Sequence, residues 1–182
     1  GCARPIIFLP YDTLPDDTEY KLKNALLCGA FPSTTYGGEE CRVLEEKYES
    51  LFELMQRKKW LLTAKSLEII PGNRCNIFRT PEGDYVVIVV NLNKSQLIPH
   101  PFEYKIPIAV NVPDADSIQH GYILSGDWQG VNSLTFSKIG SKISIVLPHH
   151  LSSSALYLTK TRKYDVLRLS SPVLIKGKTE KM

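Results

Sequence analysis

The sequence predicts a mainly β protein: an antiparallel β-sandwich of about eight strands, Greek-key in type, behind a small α/β segment with one long amphipathic helix. Three observations lead to this class. Up to about residue 63 the apolar residues recur at helical spacing, and beyond it they follow a period of two. Turn residues break the second part at short, regular intervals. No helix-length apolar pattern returns after Ala64. The change of rhythm at Thr63–Ser66 divides the chain into an α/β segment, residues 1–63, and a sandwich domain, residues 64–182.

The first segment reads strand, helix, strand, helix. Ile6 to Leu9 is an apolar run bounded by Pro5 and Pro10, of strand length. Asp16 is placed to cap a helix, with Glu19 positioned to return a capping-box bond. Leu22, Ala25 and Leu26 form that helix's apolar face, and Gly29 supplies its left-handed stop. Ala30 to Pro32 is a second short extended piece. The long helix is predicted over Glu39–Trp60, where Leu44, Tyr48, Leu51 and Met55 make a stripe that Val43, Phe52 and Leu54 widen. Glu39 and Glu40 sit at its positive end and Arg57 to Lys59 at its negative end. Such a stripe is core packing.

Strand signals fill the remainder. Leu67 to Ile70 ends at a Pro71–Arg74 turn, and Cys75–Thr80 pairs with Tyr85–Leu92 through Pro81-Glu82-Gly83-Asp84. Tyr85 to Val90 is apolar on both faces, which places it centrally and doubly covered. Tyr104 to Val112 alternates, and Pro107 marks an edge because it lacks a ladder donor. Tyr122–Leu124, a hairpin turning at Ile139-Gly140-Ser141-Lys142, Ala155–Leu158, Tyr164–Leu169 and Val173–Ile175 complete the set.

Composition is that of an ordinary folded domain, with 43% hydrophobic and 23% charged residues and a formal charge of +3. Lys and Arg are dispersed, so nucleic acid is not an expected partner. No apolar run approaches the length of a transmembrane helix. Cys2, Cys28, Cys41 and Cys75 form no C-x-x-C pair and lie at no zinc-ligand spacing, and whether Cys28 meets Cys41 is left open. Gly1 reads as the remnant of a cleaved tag, and a native Cys2 at the first position would suit a lipoprotein anchor.

No nucleophile–base–acid set assembles, and no metal or cofactor is expected. His100, His120, His149 and His150 all lie beside turn residues and read as surface histidines. Asp114 and Asp116 lack the glycine and glutamate of a calcium loop and read as a solvated turn. In Gly126-Asp127-Trp128-Gln129-Gly130 an aromatic platform and a hydrogen-bonding acid share one loop. Trp128 and Asp127 either contact a sugar or staple the sheet edge. Tyr11 and Asp12 follow a strand and precede a helix, the place where α/β barrels present binding side chains, although Asp12 can equally serve as a loop or capping residue. An enzyme in its own right would need carboxylates such as Asp12 and Glu39 to converge.

Residues Asn24–Ser33, the helix over 39–60 and Asn76–Tyr85 resemble the carboxyl-terminal region of bacterial glycoside-hydrolase-like proteins. Lys142–Pro148 and Ser154–Leu158 are similar to the last strands of the same region. The resemblance implies the end of a catalytic barrel followed by a non-catalytic accessory sandwich. Its expected partners are the upstream barrel, or a second copy through the helix over 39–60, and carbohydrate. No catalytic residue carries over, and the expected location leans toward the periplasm or cell surface. The alternative is a self-standing carbohydrate-binding domain or cell-surface lipoprotein.

Overall fold

Every residue of the strand Tyr85–Asn91 is buried, because its two faces serve two different cores. Val86, Ile88 and Val90 point toward helices, whereas Tyr85, Val87 and Val89 point toward a second sheet. That alternation organises the molecule as three layers: helices, a six-stranded sheet and a three-stranded sheet. The computed structural model describes residues 6–8, 15–33, 39–61, 73–92, 106–127, 130–148, 150–163 and 167.

The chain begins with β1 (Ile6–Phe8), α1 (Pro15–Cys28), β2 (Phe31–Ser33) and α2 (Glu39–Leu54). The large antiparallel sheet contains β3 (Lys59–Trp60), β4 (Asn73–Arg79), β5 (Tyr85–Asn91), β7 (His120–Ser125), β8 (Asn132–Ser133) and β11 (Ser153–Thr159), in the order β3-β4-β5-β11-β7-β8. The small sheet contains β6 (Ile106–Asn111), β9 (Phe136–Ile139) and β10 (Lys142–Leu147), in the order β6-β10-β9. The last described strand, β11, returns between β5 and β7, a long-range pairing of the Greek-key kind. The mainly β, two-sheet antiparallel class read from the sequence is therefore the fold, with nine strands among the described residues in the two antiparallel sheets.

Local chemistry explains most elements. Pro107 lies on β6, which among the described residues is an edge strand bonded only to β10, so its missing N–H disturbs no second described ladder. Ile139 pairs with Lys142 across Gly140-Ser141, with Gly140 at φ 57°, a tight hairpin turn. Leu22, Ala25 and Leu26 of α1 and Tyr48, Leu51, Phe52 and Met55 in and just after α2 share one core with the outer face of the large sheet. At roughly 1.5–3 kcal/mol for each large apolar side chain removed from water, this layer is a principal source of stability. The stripe on the helix over 39–60 is thus covered inside the chain, and Val43, expected to widen it, is 55% exposed.

Three expectations are corrected. The second helix stops at Leu54, not Trp60, and Arg57 adopts φ 60°. Lys59 and Trp60 instead pair with Arg79 and Phe78, the Trp60 and Phe78 rings lie 6.1 Å apart, and Leu61 N–H donates to the Ile77 carbonyl. A sheet edge captured this segment, so the basic run complements no helix end. The first helix begins at Pro15, a residue suited to a first helical position, which puts Asp16 inside the first turn instead of at the cap. Leu167, expected within a strand, is helical and its N–H donates to the Lys163 carbonyl. The predicted strands Leu67–Ile70 and Val173–Ile175, and the boundary at Thr63–Ser66, lie outside the described residues.

Gly29 ends α1 at φ 65°, and a Cβ there would lie 2.7 Å from the Phe78 ring. Gly29→Ala therefore meets backbone strain and a core ring together, and should lower stability by about 2 kcal/mol. Urea unfolding followed by tryptophan fluorescence would show this as an earlier midpoint.

Candidate functional site

Two features could serve a function: the strand–helix–strand–helix unit at the start and the polar groups at the sheet ends. β1 and β2 run parallel, with Ile6 opposite Phe31, Ile7 opposite Pro32 and Phe8 opposite Ser33, and α1 makes the crossover. Parallel strands require such a connection, and all-parallel sheets occur with both faces covered. Among the described residues this pair has no third strand. Three residues on each side is far below what makes a parallel pair stable by itself.

A buried ionic junction fastens α1 and α2 to the large sheet. Glu19 accepts from Lys47 Nζ and from the Tyr48 hydroxyl, both at 2.8 Å, with Lys23 Nζ at 3.9 Å. Lys47 also approaches Asp127 Oδ1 at 3.6 Å. Asp127 gathers the turn before β11, accepting from the N–H groups of Leu151 (3.0 Å), Ser152 (2.8 Å) and Ser153 (3.4 Å), and from the Ser152 hydroxyl. Beside it His150, 2% exposed, sits between Ser154 Oγ (Nδ1, 2.8 Å) and Asn73 Oδ1 (Nε2, 3.1 Å). With the Asn73 oxygen accepting, Nε2 carries the proton and Nδ1 accepts from Ser154, a fully satisfied neutral ring.

The electrostatics of this junction favour fixed charge over proton transfer. Burial alone would raise the Asp127 carboxyl, but the Ser152 hydroxyl and N–H, the Lys47 charge and the Leu151 N–H bring it below its ordinary range. Burial likewise opposes ionisation of Glu19, and Lys47, Lys23 and Tyr48 outweigh it. Burial holds His150 down to about 4, Asp127 opposing and Lys23 reinforcing the effect. A general acid for glycoside cleavage needs a carboxyl held up near working pH. Glu19 and Asp127 are held in the opposite direction, so as a pair they lock helices to a sheet.

A second junction uses the same chemistry. Buried Asp84 accepts from the Tyr157 hydroxyl (3.0 Å) and Lys163 Nζ (2.7 Å), and Lys163 N–H donates to the Tyr122 hydroxyl at 3.2 Å. Asp114 lies in a turn and is half-buried, and it also accepts from the Tyr85 hydroxyl and pairs with Lys160 at 2.8 Å. No group of ionisable residues able to hold a metal occurs among the described residues.

Of the sequence-derived candidates, Asp127 is in the junction, while Tyr11, Asp12 and Trp128 lie outside the described residues. His150 was expected at the surface and is instead buried at the centre of the polar network, as are Asn73 and Ser154. Cys28 and Cys75 are both free, and Cys28 is exposed.

An open cleft of about 610 Å³ lies at the far edge of the large sheet, where β7 begins. Its wall is β8, paired to β7 with Tyr122 opposite Ser133, and the chain just past β11 supplies Arg162.

No protein family and no curated protein matches the sequence. Among solved structures, the chain is similar to a Paenibacillus sp. cycloisomaltooligosaccharide glucanotransferase complexed with cycloisomaltoheptaose, with a TM-score of 0.54 and 17% identity. The match covers 77% of this chain, more than residues 64–182 alone would fill, and 27% of that chain. The protein thus spans about a quarter of the glucanotransferase's length, and at this identity the likeness concerns the fold alone. A second similarity is to the catalytic domain of GH30 xylanase C from Talaromyces cellulolyticus. It has a TM-score of 0.35 and 15% identity, covers 50% and 18% of the two chains, and falls short of a shared fold.

Proposed function

We propose that this chain is the accessory region of a carbohydrate-processing protein. In this reading β1-α1-β2-α2 are end units of a parallel βα barrel, and the two-sheet body is a non-catalytic buttress. The observation that carries it is the parallel β1–β2 pair joined through α1. Such a pair gains its stability as part of a larger parallel sheet, and further strands beside it would supply the hydrogen bonds. The partner surface is then the edge of β1 and β2, since the α2 stripe is taken up by the large sheet. Similarity to a glucanotransferase supports the carbohydrate context. The ionic junctions suit the buttress role, because they fix the helices that would belong to the barrel onto the sheet.

The test compares the 182-residue chain with the protein encoded by the whole reading frame. A panel of neutral and acidic glycans and nitrophenyl glycosides is offered to both. Turnover by the longer protein alone, with βα units encoded upstream, is the expected result. Glycoside turnover by the 182-residue chain, or a frame without βα units before β1, would overturn the proposal.

A further inference from the structure

The turn after β11 carries three cations in four residues, and two of them are committed. Lys160 pairs with Asp114 at 2.8 Å and Lys163 with Asp84 at 2.7 Å. Arg162, between them, is exposed and has no ion pair or hydrogen bond among the described residues. It lines the cleft of about 610 Å³ at the start of β7. Among the described residues that line the cleft none is acidic; they include His120, Asn132 and Ser133, beside Val131 and Leu134, both buried.

We infer that this cleft binds an acidic saccharide, with Arg162 receiving the carboxylate or sulfate. The saccharide part rests on the carbohydrate reading above; the acidic part rests on Arg162 alone. The volume falls in the range of small-molecule sites, roughly 300–1,000 Å³. A guanidinium offers a planar fork that pairs with a carboxylate through two bonds, and among the described residues no carboxylate pairs with Arg162. The Asn132 amide, the Ser133 hydroxyl and the His120 ring provide the mixed donors and acceptors that hydroxyl groups require. The walls are fixed: β8 is paired to β7, and Leu134 N–H donates to the Gly121 carbonyl at 2.8 Å. The segment bearing Arg162 is flanked by Lys160 and Lys163, whose ammonium groups pair with Asp114 and Asp84.

Isothermal titration of the 182-residue chain, with amide shifts read by NMR, tests this with four probes: tetragalacturonate, a sulfated disaccharide, maltotetraose and inorganic phosphate. At least one acidic saccharide should bind about tenfold or more tightly than maltotetraose, the difference expected of one charge-assisted bidentate contact. The shifts should centre on Gly121, Asn132 and Ser133. Arg162→Gln should abolish the preference without altering the unfolding midpoint, because the side chain is exposed and has no partner among the described residues. Asn132→Ala should weaken acidic and neutral sugars alike. Equal binding of maltotetraose, unaffected by Arg162→Gln, overturns the acidic assignment and leaves the carbohydrate context standing. Phosphate binding as tightly as both acidic saccharides, or no shift at the cleft with any probe, overturns the site. Neither outcome bears on the barrel reading, whose test is turnover by the longer protein.

Discussion

Asp127→Ala is expected to destabilise the folded chain by about 3–5 kcal/mol, the cost of breaking a buried, hydrogen-bonded charge site. The magnitude follows from what would be orphaned. The N–H groups of Leu151, Ser152 and Ser153 all point at this carboxylate, and the turn that starts β11 has its shape because of it. Lys47 would keep Glu19 but lose the second anion that stabilises its charge. β11 stands between β5 and β7, so loosening its start weakens two ladders together. Asp127→Asn retains one acceptor oxygen and should lose distinctly less. Urea unfolding monitored by circular dichroism gives both values; a loss under about 1 kcal/mol for the alanine variant would show that the turn is held by something else.

Acid should weaken the protein well above the range where carboxylates titrate. His150 is held at about 4 in the folded chain against an ordinary 6.5. Between those values the unfolded chain binds a proton that the folded chain does not, so stability falls as pH falls from 6.5 toward 4. The full displacement corresponds to about 3 kcal/mol, complete near pH 4. Asp127, Asp84 and Glu19 act in a lower window. Their folded values are depressed, so their contribution is present above the ordinary carboxylate range and is lost only as pH falls through those lowered values. Melting temperatures measured from pH 7.5 to 4.5 should therefore decline, and His150→Gln, though less stable at pH 7.5, should flatten the decline. An unchanged slope in that variant would assign the loss to other groups.

Elements whose cause is local were legible in the sequence. The doubly apolar Tyr85–Val90 run announced a central strand, Pro107 an edge, Gly140 a hairpin and Gly29 a helix stop, because each depends on neighbours a few residues away. The polar junctions were not legible. Glu19 was expected to bond its own helix end and instead meets Lys47 and Tyr48, 28 and 29 residues away. His150 meets Asn73, 77 residues away. Histidine and serine beside a proline give the signature of a surface loop, and only the return of β11 into the large sheet buries them. The end of α2 failed for a related reason: no glycine or proline interrupts the chain between Met55 and Trp60, and the available edge of β4 decided where the helix gave way.

Amide hydrogen exchange on the 182-residue chain and on the same residues within the longer protein examines the buttress idea at its root. Slowest exchange is expected in β5 and β11 in both proteins, with Ile6–Phe8 and Phe31–Ser33 exchanging fast in the short chain and slowly once βα units precede them. Equal, strong protection of their five backbone amides in the short chain (Pro32 has none) would mean that the parallel pair is complete in itself, and the barrel assignment would fall.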